Sequence, residues 1–472
     1  MRRPKPPPLP SNVAVLRVVA STDDEQLGRA YRLDGQTKYV FGRSRDADHR
    51  VRDPRMSRLH AQIAPIRGQY EVEDLASMNG TFVDGRRVDG AQVLDGQVIS
   101  MGDTLLVVDR PPARDLMPSS PDADGDSIRP IYGLSLTTQA LRASVATVAP
   151  LSATVLLLGP TGVGKEVTAR AVHEASGRSG EFVAVNCAAI PHALAESEFF
   201  GYSRGAFSGA ERDHGGFFQR SSGGTLFLDE LGELGPSLQA KLLRVIETQE
   251  VQPLGPGPAV PVDLRIVAAT NADLARGQGS AQFRTDLLAR LNQWEIHIPP
   301  LVERKADILE LWRIFLQAQE RPARSASAEF CEALLLHDWP QNARELRNLA
   351  HRIDGVVGDA AEFQLKDLPV GFQEPLLPRF EESGEPNYDP IAGARSVSKP
   401  AISRPQAAVD ATAPPQNGGS AAGRGVPSRE EVESALRATK GNIKLTAEQN
   451  KWHRTQLYRY MRRYGIDPSK YR

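Results

Sequence analysis

The sequence predicts a multidomain chain, with an all-β sandwich first, an α/β unit with a helical lid second, and a small all-α unit last. Three observations predict it. Between residues 12 and 108, short apolar runs alternate with Gly, Asp and Asn turns. Between 131 and 370, apolar strand-like runs alternate with helical patterns, as a parallel sheet requires. From 428 to 472 the pattern is helical and basic. Two segments separate these parts: 109–130, rich in Pro, Asp and Ser, and 371–427, which holds nine prolines among Gly, Ala and Ser. Such composition buries too little surface to offset ordering entropy, so both are expected to be disordered linkers.

Strands are expected in the first part at Val13–Ala20, Tyr39–Gly42, His60–Ile66, Tyr70–Asp74 and Val98–Val108. In the second they are expected at Thr154–Gly159, Phe182–Asn186, Leu226–Asp229 and Arg265–Thr270. The formal net charge of the 472 residues is −1, so affinity for nucleic acid must come from a local basic patch. Cys187 and Cys331 are the two cysteines, too few for a disulfide framework and without metal-ligand spacing. They read as buried small hydrophobes in a reducing compartment. The basic, proline-rich start from Met1 to Pro10 lacks the apolar core of a signal peptide. The apolar run Val155–Leu158 is too short to cross a bilayer. A cytoplasmic location without membrane contact is the expectation.

Chemistry enters at Gly159-Pro160-Thr161-Gly162-Val163-Gly164-Lys165-Glu166, which follows an apolar run and precedes a helical one from Val167 to Ala175. Strand, glycine loop and helix in that order make a phosphate cradle. Glycines expose backbone N–H groups, the helix N-terminus favours an anion, and Lys165 reaches terminal phosphates. A glycine-rich turn with a stray lysine is the bland alternative, and the flanking strand and helix disfavour it. Glu166 stands where a magnesium-binding Ser or Thr is usual. About sixty residues on, Gly223-Gly-Thr-Leu-Phe-Leu-Asp229-Glu230 is an apolar run ending in two acids. Asp229 can hold magnesium and Glu230 can polarise an attacking water.

Residues 131–370 resemble the AAA+ domain of sigma-54-dependent activators, the bacterial enhancer-binding proteins, in which Lys-Glu is the usual ending of the phosphate loop. The most specific element is Gly205-Ala206-Phe207-Ser208-Gly209-Ala210, preceded by Glu196-Ser-Glu-Phe-Phe-Gly201, which looks like the family's sigma-factor-contacting GAFTGA loop with Ser208 in place of threonine. The resemblance implies further roles. Asn186 matches the residue that restrains the catalytic glutamate, and Asn271, after Thr270, matches the first sensor. Arg284 and Arg290 match arginine fingers reaching a neighbouring subunit, which implies a homo-oligomer, a hexameric ring. Arg344, in Trp339-Pro-Gln-Asn-Ala-Arg344, matches the second sensor on the helical lid. The chain departs from the pattern at Gln341, where glycine is usual, and at Val302, where arginine is usual. ATP and Mg2+ are the implied cofactors, and sigma-54 RNA polymerase the implied partner.

In the first part, Phe41-Gly-Arg43-Ser44, Ser57-Arg58-Leu-His60 and Asp74-Leu-Ala-Ser-Met78-Asn79-Gly-Thr-Phe-Val-Asp-Gly85 resemble a forkhead-associated (FHA) domain, a sandwich that binds phosphothreonine through its loops. Arg43 supplies a fork of donors to phosphate, Ser57 a hydroxyl, Arg58 a second charge, and Asn79 a clamp on peptide backbone. His60 reads as a brace between loops. The implied partner is a phosphothreonine protein linked to a Ser/Thr kinase. A domain of this type used only for docking is the alternative.

From Lys440 onward there are nine Lys or Arg against two acids, Glu448 and Asp467. The stretch from Lys440 to Ile466 resembles a Fis-type helix-turn-helix, with Leu457, Met461 and Tyr464 packing inward and an unusual turn at Asn450-Lys-Trp-His453. Arg454, Gln456, Arg459 and Arg462 then face the major groove of double-stranded DNA upstream of promoters. The whole reads as an ATP-dependent transcription activator that remodels sigma-54 polymerase under FHA control. Two rivals stay open: a DNA-binding repressor without remodelling, disfavoured by the 205–210 loop, and a recruitment scaffold, disfavoured by Glu230 and the two arginines.

Overall fold

The computed structural model describes residues 13–66, 69–110, 128, 130–271, 283–318, 324–358, 361–377, 429–439, 446, 450 and 466. The chain divides into two compact units, residues 1–397 and 398–472.

The first unit begins with eleven strands in two sheets. One sheet has the order β2 (Ala30–Arg32), β1 (Val15–Ala20), β11 (Thr104–Asp109), β10 (Val98–Met101), β7 (Thr81–Val83), β8 (Arg86–Val88). The other has the order β4 (His49–Arg50), β3 (Tyr39–Gly42), β5 (Ala61–Ile66), β6 (Gln69–Asp74), β9 (Gly90–Gln92). Leu16, Val18, Phe41, Ile63, Val72, Ile99, Met101, Leu106 and Val108 fill the space between them. The single strand expected at Val98–Val108 is a hairpin, because Gly102 takes φ +66 between β10 and β11. β11 also runs through Asp109, past the expected domain end at 108.

The α/β part carries a five-stranded parallel sheet in the order β13 (Phe182–Asn186), β14 (Thr225–Asp229), β17 (Arg265–Thr270), β12 (Val155–Leu158), β18 (Trp294–His297). Small hairpin strands β15 (Glu250–Val251) and β16 (Val260–Pro261) lie outside it. Helices α1 (Leu136–Val148), α2 (Lys165–Ala175), α3 (His192–Phe200), α4 (Phe217–Arg220), α5 (Pro236–Thr248) and α6 (Thr285–Leu291) cover its faces, and two apolar clusters lie on its two sides. β12, β14 and β17 are buried along nearly their whole length, as strands covered on both faces must be.

A 3-10 turn at Leu301–Asp307 leads into the lid, made of α7 (Ile308–Gln317), α8 (Ala328–Leu336), α9 (Asn342–Val357) and α10 (Val370–Gln373), with the short parallel pair β19 (Ser325–Ala326) and β20 (Glu362–Phe363). The lid core is aromatic: Trp312, Phe330 and Phe363 pack at ring-centroid distances of 5.3–5.8 Å. Helical turns continue to Leu376, beyond the lid end expected at 370.

In the second unit α11 spans Arg429–Ala438, with Val432 and Leu436 buried. Arg454, Gln456, Arg459 and Arg462 lie outside the described residues. No helix among the described residues is long and apolar enough to cross a membrane.

Candidate functional site

Strand order places the nucleotide-type residues. β12 lies between β17 and β18, so the loop 159–164 leaving β12 meets Asn271 just past β17. The loop turns on Gly162 (φ +78) and Gly164 (φ +106), and Gly164 caps α2. Lys165, 7% exposed, donates from Nζ to the Gly159 carbonyl (3.0 Å), the Pro160 carbonyl (3.5 Å) and Asn271 Oδ1 (3.2 Å). Burial lowers the Lys165 pKa, while Asp229 and Glu230 pull the other way. Asp229 ends β14 and Glu230 follows it, on a strand separated from β12 by β17. Glu230 takes φ +54, ψ +51 and donates its N–H to Asp229 Oδ1 at 3.0 Å. A non-glycine residue held in the left-handed region is strained backbone of the kind that collects at functional sites.

Asn186 lies level with Asp229 across the β13–β14 ladder. Its Oδ1 accepts the Ala188 N–H at 2.9 Å, so it caps the following turn here and does not bond Glu230. Glu166, in the first turn of α2, pairs along the helix with Arg170 at 3.5 Å. Arg284 forks onto Asp286 (3.0 and 2.7 Å) and Arg290 reaches Glu247 at 3.5 Å. Both arginines are exposed.

The 205–210 loop closes on its own backbone. The Gly205 N–H donates to the Ala210 carbonyl (2.9 Å) and the Ala210 N–H to the Phe207 carbonyl (3.0 Å), with Gly205 and Gly209 at positive φ. Phe207 is 49% exposed and its ring meets Tyr202 edge-on at 4.9 Å. Tyr202 in turn stacks on His214 and bridges to Leu254 beyond β15.

At one end of the sandwich, three loops bring the candidate phosphate ligands together. The Arg43 N–H donates to the Ser57 carbonyl (3.0 Å) and the Ser44 N–H to the Arg58 carbonyl (3.1 Å). Ser57 Oγ accepts the Met78 N–H at 2.9 Å, and Asn79 Nδ2 donates to the Arg55 carbonyl at 2.5 Å. Arg43, Arg58, Met78 and Asn79 are all exposed. His60 is fully buried beneath them.

With this geometry in view, comparison places the chain among known proteins. Residues 131–297 match the Sigma-54 interaction domain, 302–380 the AAA+ ATPase lid domain, and 39–102 the FHA domain. SfnR of Pseudomonas putida, a sigma-54-dependent transcriptional activator, is 42% identical over 246 residues, covering 50% of this chain and 67% of that protein. The chain belongs to the sigma-54-dependent transcriptional activators. The Nif-specific regulatory protein of Azospirillum brasilense is 39% identical over 315 residues, covering 62% of this chain and 50% of that protein. The C4-dicarboxylate transport regulator DctD of Pseudomonas aeruginosa is 43% identical over 246 residues, covering 49% and 53%. The chain spans about half the length of the first of these curated relatives.

The sequence pattern did not reveal the groups that fasten the lid to the glycine loop 159–164. Asn342 is buried at φ +55. It donates from Nδ2 to the Thr161 carbonyl (2.9 Å) and accepts the Leu301 N–H at Oδ1 (2.8 Å). Arg304, 5% exposed, donates to the Val163 carbonyl at 2.7 Å. The Gln341 carbonyl sits where a Cβ on Gly162 would be, and the Arg344 side chain begins beside the same glycine. Gln341 itself has φ −106, so the backbone there does not need the family's glycine. The signal available in the sequence was Asn342, two residues after Pro340, a residue that tolerates left-handed backbone in a turn context.

Proposed function

We propose that this activator hydrolyses ATP and uses the cycle to press its Phe207 loops on sigma-54, opening promoters. One observation carries the reading: buried Lys165 bonds Asn271, and its charge is favoured by the acid pair Asp229–Glu230, under a lid bearing Arg344. A γ-phosphate at the loop would take the Lys165 donors from the Gly159 and Pro160 carbonyls. Glu230 would orient and deprotonate the attacking water, and Asn271 and Arg344 would report the phosphate to the sheet and the lid. Arg284 and Arg290 act on a neighbouring subunit's nucleotide in a ring, a hexamer by family resemblance. Asn186 restrains Glu230 when it releases Ala188.

Asp229 suits magnesium, since Oδ1 takes the Glu230 N–H and Oδ2 remains for a ligand. Among the described residues no three His, Cys, Asp or Glu side chains form a metal cage, so phosphate and water oxygens would complete the shell. Magnesium supplies neutralisation of phosphate charge.

The FHA face, with Arg43, Ser57, Arg58 and Asn79, takes a phosphothreonine segment of a partner acted on by a Ser/Thr kinase. Residues 428–472, with Arg454, Gln456, Arg459 and Arg462, tether the ring to DNA upstream of the promoter.

The test is nucleotide binding, turnover and open-complex formation with sigma-54 polymerase. Lys165→Ala should lose nucleotide binding, and Glu230→Gln should bind ATP without hydrolysing it. Phe207→Ala should hydrolyse ATP but form no open complex. Normal turnover by Glu230→Gln overturns the catalytic assignment, and open complexes from Phe207→Ala overturn the loop's role.

A further inference from the structure

A strand in a two-sheet sandwich normally buries one face and wets the other, so burial should alternate along it. β1, β10 and β11 break this rule, being buried at every residue. Leu16, Val18, Ile99, Met101, Leu106 and Val108 point into the sandwich, whereas Val19, Ala20, Val98, Leu105 and Val107 join the lid core with Trp312, Phe330 and Leu334. The sandwich and the lid therefore share one continuous apolar core. Polar contacts complete the seam. Buried Asp109 accepts from Arg17 Nε (3.1 Å) and from the N–H of Leu136, the first residue of α1 (3.0 Å). The β7–β8 turn at Gly85 (φ +77) lies against the Pro375 carbonyl, Leu376 and Leu336.

The seam reaches the phosphopeptide face through Arg55. Its carbonyl accepts Asn79 Nδ2, and Ser57 lies two residues on. Its guanidinium bonds Asp103 of the β10–β11 turn (2.9 Å) and Glu329 in the first turn of lid helix α8 (2.8 Å). Asp53 pins the same segment by accepting from the N–H groups of Arg55 (2.9 Å) and Asp103 (2.7 Å). From α8 the lid leads to α9, whose start holds the phosphate loop through Asn342.

We infer that the sandwich and the lid move as one body, so occupancy of the phosphopeptide face and of the nucleotide loop are thermodynamically coupled, with Arg55–Glu329 as the link. This rests on the phosphothreonine reading of the FHA face. Coupling of this kind is reciprocal: whatever factor the peptide imposes on nucleotide affinity, nucleotide imposes on peptide affinity. A half-exposed ion pair carries an effect of ~5-fold at most, which is the lower end of ordinary coupling.

The full chain tests this. The probe is a peptide mixture with one fixed phosphothreonine in a random background, beside its unphosphorylated twin. Peptide binding and the Kd for a non-hydrolysable ATP analogue are measured with and without the other ligand. The phosphorylated mixture should bind, the twin should not, and the analogue's Kd should change by ~5-fold. Glu329→Gln and Arg55→Ala should each keep both separate affinities and bring that factor towards one. Phosphopeptide binding with an unchanged analogue Kd overturns the coupling alone. A factor that survives in both variants overturns Arg55–Glu329 as the link. Failure of the phosphorylated mixture to bind overturns the phosphothreonine reading, and the coupling with it.

Discussion

His60 is fully buried, and its ring nitrogens serve two different loops. Nδ1 lies 3.0 Å from the Ser57 nitrogen and Nε2 lies 3.1 Å from the Gly80 carbonyl. The Ser57 N–H can only donate, so Nδ1 accepts and Nε2 carries the proton. The neutral ring thus holds the Ser57 loop to the Asn79 loop, which sets the spacing of the candidate phosphate ligands. Burial lowers its pKa below 6.5. A histidine whose folded pKa is lowered stabilises the fold above its unfolded value and loses that contribution as pH falls below it. Hydrogen exchange of the β5–β7 amides should therefore show protection falling as pH drops from 7.5 towards 5, after correction for intrinsic rates. His60→Asn should cost ~1–3 kcal/mol at pH 7.5, since one loop partner is left unpaired. Its gap from the parent chain should narrow at low pH, and a constant gap would remove His60 as the brace. The brace was legible in the Ser57-Arg-Leu-His60 spacing. Which nitrogen faces which loop was not, because that depends on Gly80 from a distant turn.

The turn into α9 holds two non-glycine residues at positive φ, Trp339 (φ 49) and Asn342 (φ 55). Trp339 is buried and anchors the turn by donating Nε1–H to the Leu334 carbonyl at 2.9 Å, which frees Asn342 to reach the phosphate loop. Asn342→Ala strands the buried Leu301 N–H, at ~1–3 kcal/mol, and takes a donor from the exposed Thr161 carbonyl. The expected result is a lower melting temperature together with weaker binding of an ATP analogue, because the lid loses its register on the loop. Asn342→Asp keeps the acceptor for Leu301 and should recover part of the stability but less of the affinity. Unchanged analogue binding in Asn342→Ala would show that the contact is structural only. At this scale the sequence located the parallel strands well, since β13 and β17 match the expected ranges. It missed β18 (Trp294–His297), whose buried Ile296 lies among polar and partly exposed neighbours and leaves a weak apolar signal.

The proposed ring assembly and DNA tether belong to the scale of the whole molecule. Arg284 and Arg290 are held by acids of their own chain, and Arg284 keeps the Asp286 carboxyl down to about 2. Acting on a neighbour's nucleotide requires exchanging those exposed partners, which costs little for surface pairs. Arg290→Ala should cut turnover by ~10³-fold or more for a true finger. Mixed with Glu230→Gln protein it should regain some turnover, because one interface then holds both intact groups, and no regain in stable mixed rings counts against action in trans. Deleting Val426 to Arg472 should abolish binding to upstream DNA and leave turnover intact. Residues 428–472 alone should bind DNA with a steep salt dependence, because Lys and Arg displace condensed counterions. Equal promoter occupancy after the deletion would refute the tether.

The sequence by itself determined the order of sandwich, α/β part and lid, the glycine loop from Gly159 to Lys165, the acids at the end of β14, and the loop bearing Phe207. These are local: each rests on residue types within a few positions, whose backbone demands and charges act over that same range. Only the tertiary structure decided that the sandwich is built onto the lid. The continuous apolar runs Val15–Ala20 and Thr104–Asp109 indicate that both strand faces are covered, but not what covers the second. That answer lies in Trp312, Phe330 and Glu329, more than two hundred residues away, where burial of apolar surface joins segments that no local pattern relates.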